Sequence, residues 1–347
     1  MFSLQKIYQH TKSGIFGLNL RPNCGLYDAV MKYRVVVIGG AGFIGSNLVR
    51  ELLNLNNEVI VLDNFSSGSI KNLKDMACQI IDGDITDFEL VQRVLRGADY
   101  VFHCAARGSV PRSVADPIGT LNTNIRGTEN VLEALKYSKT KLTFLSSSSV
   151  YGSNKLQPKE ERMWLSPLSP YAASKLAGEA LVQSYKASYG LNAITYRLFN
   201  VYGPFQRPDM EYSAVIPKWI LSAEKSNSIN VFGNGEVSRD FTYVGDVVKI
   251  LVLGMKKDID LDHPINLAFG NRITLNEVAL KLKNYYPNLH INHLDPRPTD
   301  VRESSNNPKL LRTFFPFMEP KKFEFGFAET ITWIKMNYTK DTSEKNH

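Results

Sequence analysis

A run of β-branched and aromatic residues, Tyr33 to Ile38, ends in glycines spaced G-x-x-G-x-x-G at Gly39, Gly42 and Gly45, and a helical pattern follows at once. No other stretch of the 347-residue chain constrains its fold so tightly. A strand that turns through glycines into a helix opens a βαβ unit, and the turn leaves backbone N–H groups at the positive end of the helix, where a pyrophosphate binds. Asp63 closes the next strand, 18 residues beyond Gly45. A carboxylate there accepts hydrogen bonds from an adenosine ribose and repels a 2′-phosphate, so the expected cofactor is NAD and not NADP. Asp84, in Gly83-Asp84-Ile85, reads either as an adenine contact or as an Asx turn.

The same alternation continues downstream. Helices are expected over Ser46 to Leu55 and Asn122 to Tyr137, and strands over Glu58 to Leu62, Gln79 to Ile81, Asp99 to Cys104 and Leu142 to Leu145. Strands alternating with helices imply right-handed crossovers and an α/β fold, a doubly wound parallel Rossmann sheet. Beyond about residue 200 the pattern breaks into Pro/Gly-rich loops and short helices, which predicts a smaller C-terminal α/β substrate lobe. The division expected is an extension over 1–30, an NAD-binding domain over 31–200, a mainly substrate-binding lobe over 201–340 interleaved with it, and a tail over 341–347. Residues 1–30 carry Lys6, Lys12 and Arg21 against Asp28 alone. They read as a transit peptide, a plain extension, or an early start before Met31.

Hydrophobic residues at 43% and charged ones at 22% exclude disordered and fibrous classes. No apolar run reaches the roughly 18 residues of a membrane span. The 41 basic residues exceed the 34 acidic ones by 7, which suits nucleic acid, an anionic surface or a small anion. No block of five Lys/Arg is present, which points away from the first two. Cys24, Cys78 and Cys104 form no C-x-x-C pair and no disulfide framework, so a reducing, cytoplasmic setting is expected. No His/Cys/Asp spacing suggests a metal site.

Ser169-Pro170-Tyr171-Ala172-Ala173-Ser174-Lys175 opens a helix that Gly190 closes, with Ser169 as N-cap and Pro170 in the first turn. Tyr171 and Lys175 then lie one turn apart on one face. A cation beside a phenol favours the phenolate, so Lys175 is expected to lower the Tyr171 pKa and make it a general base for a sugar or alcohol hydroxyl. The serine run Ser146 to Ser149 ends the fifth strand, where ligands of such sheets bind, and its hydroxyls can reach the phenol or the reacting oxygen.

The chain resembles the extended short-chain dehydrogenase/reductases that act on nucleotide sugars, the NAD-dependent epimerase/dehydratase family. The resemblance runs from about residue 33 to 335. GGAGFIGSN (Gly39 to Asn47), DNFSSG (Asp63 to Gly68), GDI (Gly83 to Ile85), HCAA (His103 to Ala106) and NIRGT (Asn124 to Thr128) carry its first half. SSSSVYG, YAASK, RLFNVYGP (Arg197 to Pro204), SRDFTYV (Ser238 to Val244) and DVR (Asp300 to Arg302) carry the second. Ile38 departs from the family, which has Thr there.

The resemblance implies cofactor contacts from Gly39, Gly42, Phe43, Ile44 and Gly45 in the turn, and from Asp63, Asn64, Ser66 and Gly68 after the second strand. Further contacts are implied for Asp84, Ile85, Ala105 and Asn124. It matches Ser147 to the catalytic Ser/Thr, Tyr171 to the base and Lys175 to its partner, the last two also touching NAD. His103 becomes a packing residue near the cofactor, neither catalyst nor metal ligand. On the substrate side it implies Arg239 and Arg297 on a diphosphate, Asn200 on the sugar nucleotide, Asp300 near its ribose and Val231-Phe232 at uracil. Gly108, Ser109, Val215 and the serines Ser147, Ser148 and Ser149 complete that pocket.

In the 4,6-dehydratases of this family the two residues after the catalytic Ser/Thr are Asp and Glu, which protonate and remove the C6 hydroxyl. Here they are Ser148 and Ser149, and related decarboxylases also carry an acid at the second position. A 4-epimerase remains: the 4-OH proton passes to Tyr171 and the 4-hydride to NAD, then the 4-keto sugar turns over and takes the hydride back. Within the family, RGSVPRSVADP (Arg107 to Pro117) and YSAVIPKW (Tyr212 to Trp219) resemble the UDP-N-acetylglucosamine 4-epimerases of polysaccharide biosynthesis. Ser304 stands where epimerases of unacetylated sugars have Tyr, which leaves room for an N-acetyl group. Arg107 departs from that subgroup's apolar residue and either favours a C6 carboxylate, as in UDP-glucuronate or UDP-N-acetylglucosaminuronate, or points to solvent. A non-catalytic NAD-binding regulator would be expected to lose Ser147, Tyr171 or Lys175. The family also pairs two helices per subunit into a four-helix bundle, here Asn122 to Tyr137 and Ser169 to Tyr189, so a homodimer is expected.

Overall fold

The structure, a computed structural model, describes residues 32–296 and 303–339. The expectations placed on residues 1–30, on Arg297 and Asp300, and on the tail over 341–347 lie outside the described residues.

Strand β1 (Arg34–Ile38) runs into helix α1 (Phe43–Asn54), and β2 (Glu58–Asp63) and β3 (Gln79–Asp82) follow. Helix α1 starts three residues earlier than Ser46, because Gly42 itself is its N-cap. Next come α2 (Phe88–Leu95), β4 (Tyr100–His103), α3 (Val110–Ala115) and α4 (Pro117–Leu121). The helix expected over Asn122 to Tyr137 opens as a π-helical stretch, Asn122–Arg126, and continues as α5 (Gly127–Leu135). Strand β5 (Lys141–Ser147), α6 (Pro170–Tyr189) and β6 (Ala193–Leu198) complete this half.

Past residue 198 the elements shorten: β7 (Asn200–Tyr202), α7 (Val215–Ser226), β8 (Ser228–Phe232), β9 (Ser238–Arg239) and β10 (Phe241–Tyr243). Then α8 (Val244–Lys256), β11 (Ile265–Leu267), β12 (Ile273–Thr274), α9 (Leu275–Lys283) and β13 (His290–Leu294) follow. The described chain ends with β14 (Glu303–Ser304), α10 (Lys309–Phe314) and α11 (Phe323–Tyr338).

Seven strands form one parallel sheet in the order β11-β6-β5-β4-β1-β2-β3. It is a doubly wound Rossmann sheet, with the order reversing between β1 and β4. Alternating residues of β1 feed two cores: Val35 and Val37 meet Leu48 and Leu52 of α1 and Val247 and Leu251 of α8, while Val36 and Ile38 meet Val91, Val131 and Val182. The chain after residue 200 therefore does not stay apart. Helix α8 covers one face of the large sheet and β11 adds its seventh strand, a placement that short elements with few periodic residues did not announce. The remaining short strands pair in three small sheets around a separate core of Trp219, Ile220, Val231, Leu282 and Phe327. Among the described residues no helix is long and apolar enough to cross a membrane.

Candidate active site

The turn after β1 is built by glycines for two reasons. Gly39 has φ +79°, and a Cβ on it would come within 2.6 Å of the Ala105 nitrogen. A Cβ on Gly45 would run into the Gly39 carbonyl oxygen, so α1 can approach the turn only without one. Gly42 caps α1 with no side-chain hydrogen bond, which leaves the first-turn N–H groups open toward an anion.

A cavity of about 240 Å³ lies at the C-terminal edge of the sheet, over the β1/β4 reversal. Gly39, Gly42, Phe43, Ile44, Gly45, Asp63, Asn64, Ser66, Ile85, Ala105, Gly108, Tyr171 and Lys175 all line it. The buried Asp63 carboxylate accepts from Ala41 N (2.9 Å) through one oxygen and from Phe65 N (2.8 Å) through the other. Burial raises its pKa, those two N–H groups lower it, and Asp82 raises it further, for a net rise. Each oxygen retains a second lone pair for a ribose hydroxyl. A cradle closed to any Cβ, open N–H groups at a helix start and an acceptor at the end of β2 together fit a dinucleotide.

Three residues expected at the cofactor, Gly68, Asp84 and Asn124, do not line this cavity. Gly68 packs against the Ala41 backbone. Asp84 forms the Asx turn, accepting from Thr86 N (2.8 Å) and Thr86 Oγ1 (2.7 Å), while Asn64 Nδ2 donates to its other oxygen (2.6 Å). Burial raises the Asp84 pKa, but these hydrogen bonds outweigh it and hold the group below its ordinary value. Asn124 sits in the π-helical stretch, accepts from Arg107 N (2.8 Å) and donates to Ser174 Oγ (2.8 Å), tying the loop after β4 to α6.

The triad assembles where β5 meets α6. Ser169 caps α6 by accepting from Ala172 N (3.2 Å), and Gly190 ends it in the left-handed region. Ser147 Oγ accepts from Ser149 N (3.2 Å), so its own proton is available to Tyr171, whose pKa it lowers. Lys175 Nζ donates to the Leu145 carbonyl (2.7 Å) and lies 5.1 Å over the Phe144 ring. The expected lowering of the phenol by Lys175 is corrected here. Burial raises the Tyr171 pKa, and what opposes it is the Ser147 hydrogen bond. The ammonium is turned to a carbonyl, and burial brings it down to about 8 despite the raising influence of Cys104 and Glu179.

His103 is neutral, its pKa taken down to about 3 by burial and by Lys175, with Nε2 3.0 Å from Thr128 Oγ1. Burial pushes the Cys104 thiol up to about 12. Neither is a nucleophile or base at neutral pH.

On the substrate side, β9 and β14 bring Arg239 and Ser304 opposite one another, and Asp240 N donates to the Ser304 carbonyl (2.8 Å). Asn200 lies on β7 beside Phe241 of β10. Val215 begins α7, and Phe232 ends β8 half-buried. The Val231 side chain is fully buried in the lobe's core, so only its main chain could meet a base. Ser148 and Ser149 form a 3₁₀ turn after β5, and Ser109 caps α3 with φ +145°. Arg107 Nη1 is bound to Asp116 Oδ2 at 2.7 Å.

The motif reading missed Glu179 of α6, which gathers Arg197 of β6 and Ser146 of β5 into a buried layer behind the triad, so the Ser146 hydroxyl goes to Glu179 and not to the phenol. A signal was present, since Glu179 continues the Tyr171, Lys175 spacing by one more turn.

Comparison with known proteins agrees with the fold. The family model described as "NAD dependent epimerase/dehydratase family" matches residues 35–268. A UDP-N-acetyl-alpha-D-glucosaminuronate decarboxylase of Bacillus cytotoxicus is 31% identical over 319 residues, 88% of this chain and 98% of that one. The solved UDP-N-acetylglucosamine 4-epimerase of Methanobrevibacter ruminantium, in complex with UDP-N-acetylmuramic acid, is 37% identical with a TM-score of 0.84, covering 88% of this chain and 99% of its own. The UDP-glucuronic acid 4-epimerase of Bacillus cereus, solved with UDP-glucuronic acid and NAD, is 28% identical with a TM-score of 0.81 over 88% and 100%.

Proposed function

The chain belongs to the NAD-dependent epimerase/dehydratase family, and from that premise we propose that it is a UDP-sugar 4-epimerase whose substrates are UDP-GlcNAc and UDP-GalNAc. One observation carries the choice of reaction. Among the described residues lining the cavity the single carboxylate is Asp63, and both of its oxygens are held by backbone N–H groups at the far end from Tyr171. No carboxylic acid there stands beside Tyr171 in the role the dehydratase Asp and Glu fill at the C6 hydroxyl, which supports proton exchange at O4 over elimination.

The glycine turn and Asp63 would hold NAD, which when bound would supply the acceptor and donor of the C4 hydride. Tyr171 accepts the O4 proton and gives it back, with Ser147 donating its hydroxyl proton to the developing charge. Lys175, protonated below about pH 8, holds its ammonium on the Leu145 carbonyl, one turn of α6 from Tyr171. Arg239 and Arg297 are assigned to the diphosphate, which suits their planar forks, and Asp300 to the nucleotide ribose. Ser304 leaves space at C2 for an acetamido group. The remaining assignments of the family motifs to cofactor and sugar nucleotide are proposed as they stand above.

The sugar itself turns on Arg107. Its guanidinium is bound by Asp116, which supports a neutral C6 hydroxymethyl over the uronate alternative. A homodimer is part of the same reading, supported by exposed Ile118, Tyr137 and Tyr189 along the α4–α5 and α6 edges. Cys78 and Cys104 are free thiols, which supports a cytoplasmic setting; the role in polysaccharide biosynthesis rests on the motif resemblance alone.

The test is incubation of the purified protein with UDP-GlcNAc, UDP-glucose, UDP-GalNAcA and UDP-glucuronate, following C4 inversion by proton NMR. Inversion of UDP-GlcNAc with no net NADH is expected. NADH accumulating without inversion would overturn the reading in favour of a dehydrogenase. Tyr171→Phe is expected to lower turnover by about 10²- to 10⁴-fold while NAD stays bound.

A further inference from the structure

Three consecutive residues at the end of β5 meet three residues of α6 spaced one turn apart. The Leu145 carbonyl accepts from Lys175 Nζ (2.7 Å), Ser146 Oγ donates to Glu179 Oε1 (2.5 Å), and the Ser147 hydroxyl acts on Tyr171 to lower its pKa. The Glu179 partner is buried in depth: its carboxylate also accepts Arg197 Nε (2.9 Å) and Nη2 (2.8 Å) from β6. Arg197 extends the layer with Nη1, which donates to the Tyr151 hydroxyl and to the Glu161 carbonyl, both at 2.9 Å. Tyr151 in turn donates to Asn266 Oδ1 of β11 (2.8 Å). The side chains of Arg197 and Glu179 are 3% and 5% exposed.

A buried ion pair does little for stability by itself, since apolar residues of the same volume often serve as well. Its place is therefore informative. We propose that Glu179 is the positioning residue of the triad, holding the end of β5, whose Leu145 carbonyl seats the Lys175 ammonium, in register with α6. The proposal deepens the epimerase reading and rests on it where activity is measured.

The groups facing Lys175 are few. His103 and Cys104 come from the end of β4 and are uncharged at neutral pH; Tyr171 and Glu179 share α6; Arg197 lies on β6 beyond Glu179. Among the described residues Glu179 is the carboxylate acting on Lys175, and it raises the lysine against burial. Its loss therefore moves the lysine further down.

Two variants of the holoenzyme test this: Glu179→Gln, and Glu179→Gln with Arg197→Met, which removes the stranded cation as well. Both are expected to lower kcat about tenfold or more with KM within about twofold. Both are expected to shift the alkaline limb of the kcat/KM profile toward lower pH by about one unit. The double variant should regain melting temperature without regaining that limb. A double variant with wild-type kcat and an unmoved limb overturns the proposal, and so does one that fails to fold, since the pair is then scaffolding alone. A substrate-free readout separates this inference from the epimerase reading. NMR titration of ¹³C-labelled lysine, with Lys175 assigned through Lys175→Met, should show its pKa fall in Glu179→Gln. If the wild type inverts no UDP-sugar, the epimerase reading fails and the titration still decides the role of Glu179.

Discussion

Two arginine–carboxylate pairs have almost the same separation, one buried behind the triad and one on the loop after β4, where Arg107 lines the cavity. Arg197 and Glu179 meet at 2.8 Å with side chains 3% and 5% exposed, and Arg107 and Asp116 meet at 2.7 Å with side chains 29% and 49% exposed. The lengths say nothing of their work; the surroundings do. In the interior the Coulomb attraction is little screened and each charge depends on its partner, because an unpaired buried ion is costly. At the cavity rim water and salt screen the pair, and either partner can let go at little cost. The buried pair is therefore suited to fixing machinery, and the open pair to adjusting what the machinery accepts.

The sharpest way to break this contrast is to truncate each arginine. Arg197→Ala is expected to cost about 3–5 kcal/mol of stability, because Glu179 and the Tyr151 hydroxyl lose their partner inside the protein. Arg107→Ala should leave the urea midpoint close to wild type. Equal midpoints for the two variants would show that burial does not separate the pairs. A third charge sharpens the point. Lys175 is 4% exposed and titrates at about 8 in the fold against an ordinary 10.5, so its burial costs about 3 kcal/mol below pH 8. Between pH 8 and 10.5 the folded protein releases that proton while the unfolded chain keeps it, and the cost fades. Lys175→Met in the NAD-free protein should therefore be inactive yet more stable at pH 7, with the gain shrinking as pH rises to 10.5. Urea melts at pH 7 and pH 10 check it; a constant difference would exclude a titrating lysine.

The two halves of the molecule were not equally legible. The cofactor side reads from sequence because its physics is local: a positive φ at Gly39, a close approach at Gly45 and a strand-ending carboxylate at Asp63 each need one residue type at one spacing. The helix of Tyr171 and Lys175 declares itself through Ser169, Pro170 and Gly190. What the local pattern cannot carry is contact between distant segments. Nothing near residue 265 signals that Ile265 to Leu267 extends a sheet begun at Arg34, and nothing in the 239 region signals that Ser304 will stand beside Arg239. The direction of the Tyr171 shift failed for the same reason. Spacing put Lys175 on the right face of α6, but the Leu145 carbonyl, 30 residues away in sequence, decides where its ammonium points.

The smallest expected effect bears on substrate choice at the open pair. Asp116 accepts from Gly119 N (2.9 Å) as the N-cap of α4 and from Arg107 (2.7 Å), and those contacts, the Gly119 N–H first, hold its carboxyl below the usual range. It is thus ionised at neutral pH and keeps the guanidinium occupied. A Cβ on Gly119 would strike Arg107 Nη1, so this seat exists only because residue 119 is glycine. Asp116→Asn keeps the cap, since asparagine caps as well as aspartate, but removes the charge that balances Arg107. The freed fork then has one fitting target in a bound UDP-sugar beyond the diphosphate, a carboxylate at C6. The ratio of kcat/KM for UDP-glucuronate over UDP-GlcNAc is expected to rise about tenfold, the equivalent of roughly 1.4 kcal/mol, with an unchanged melting curve. A ratio that does not move would place Arg107 out of reach of C6 and leave sugar selection to Ser304 and its neighbours.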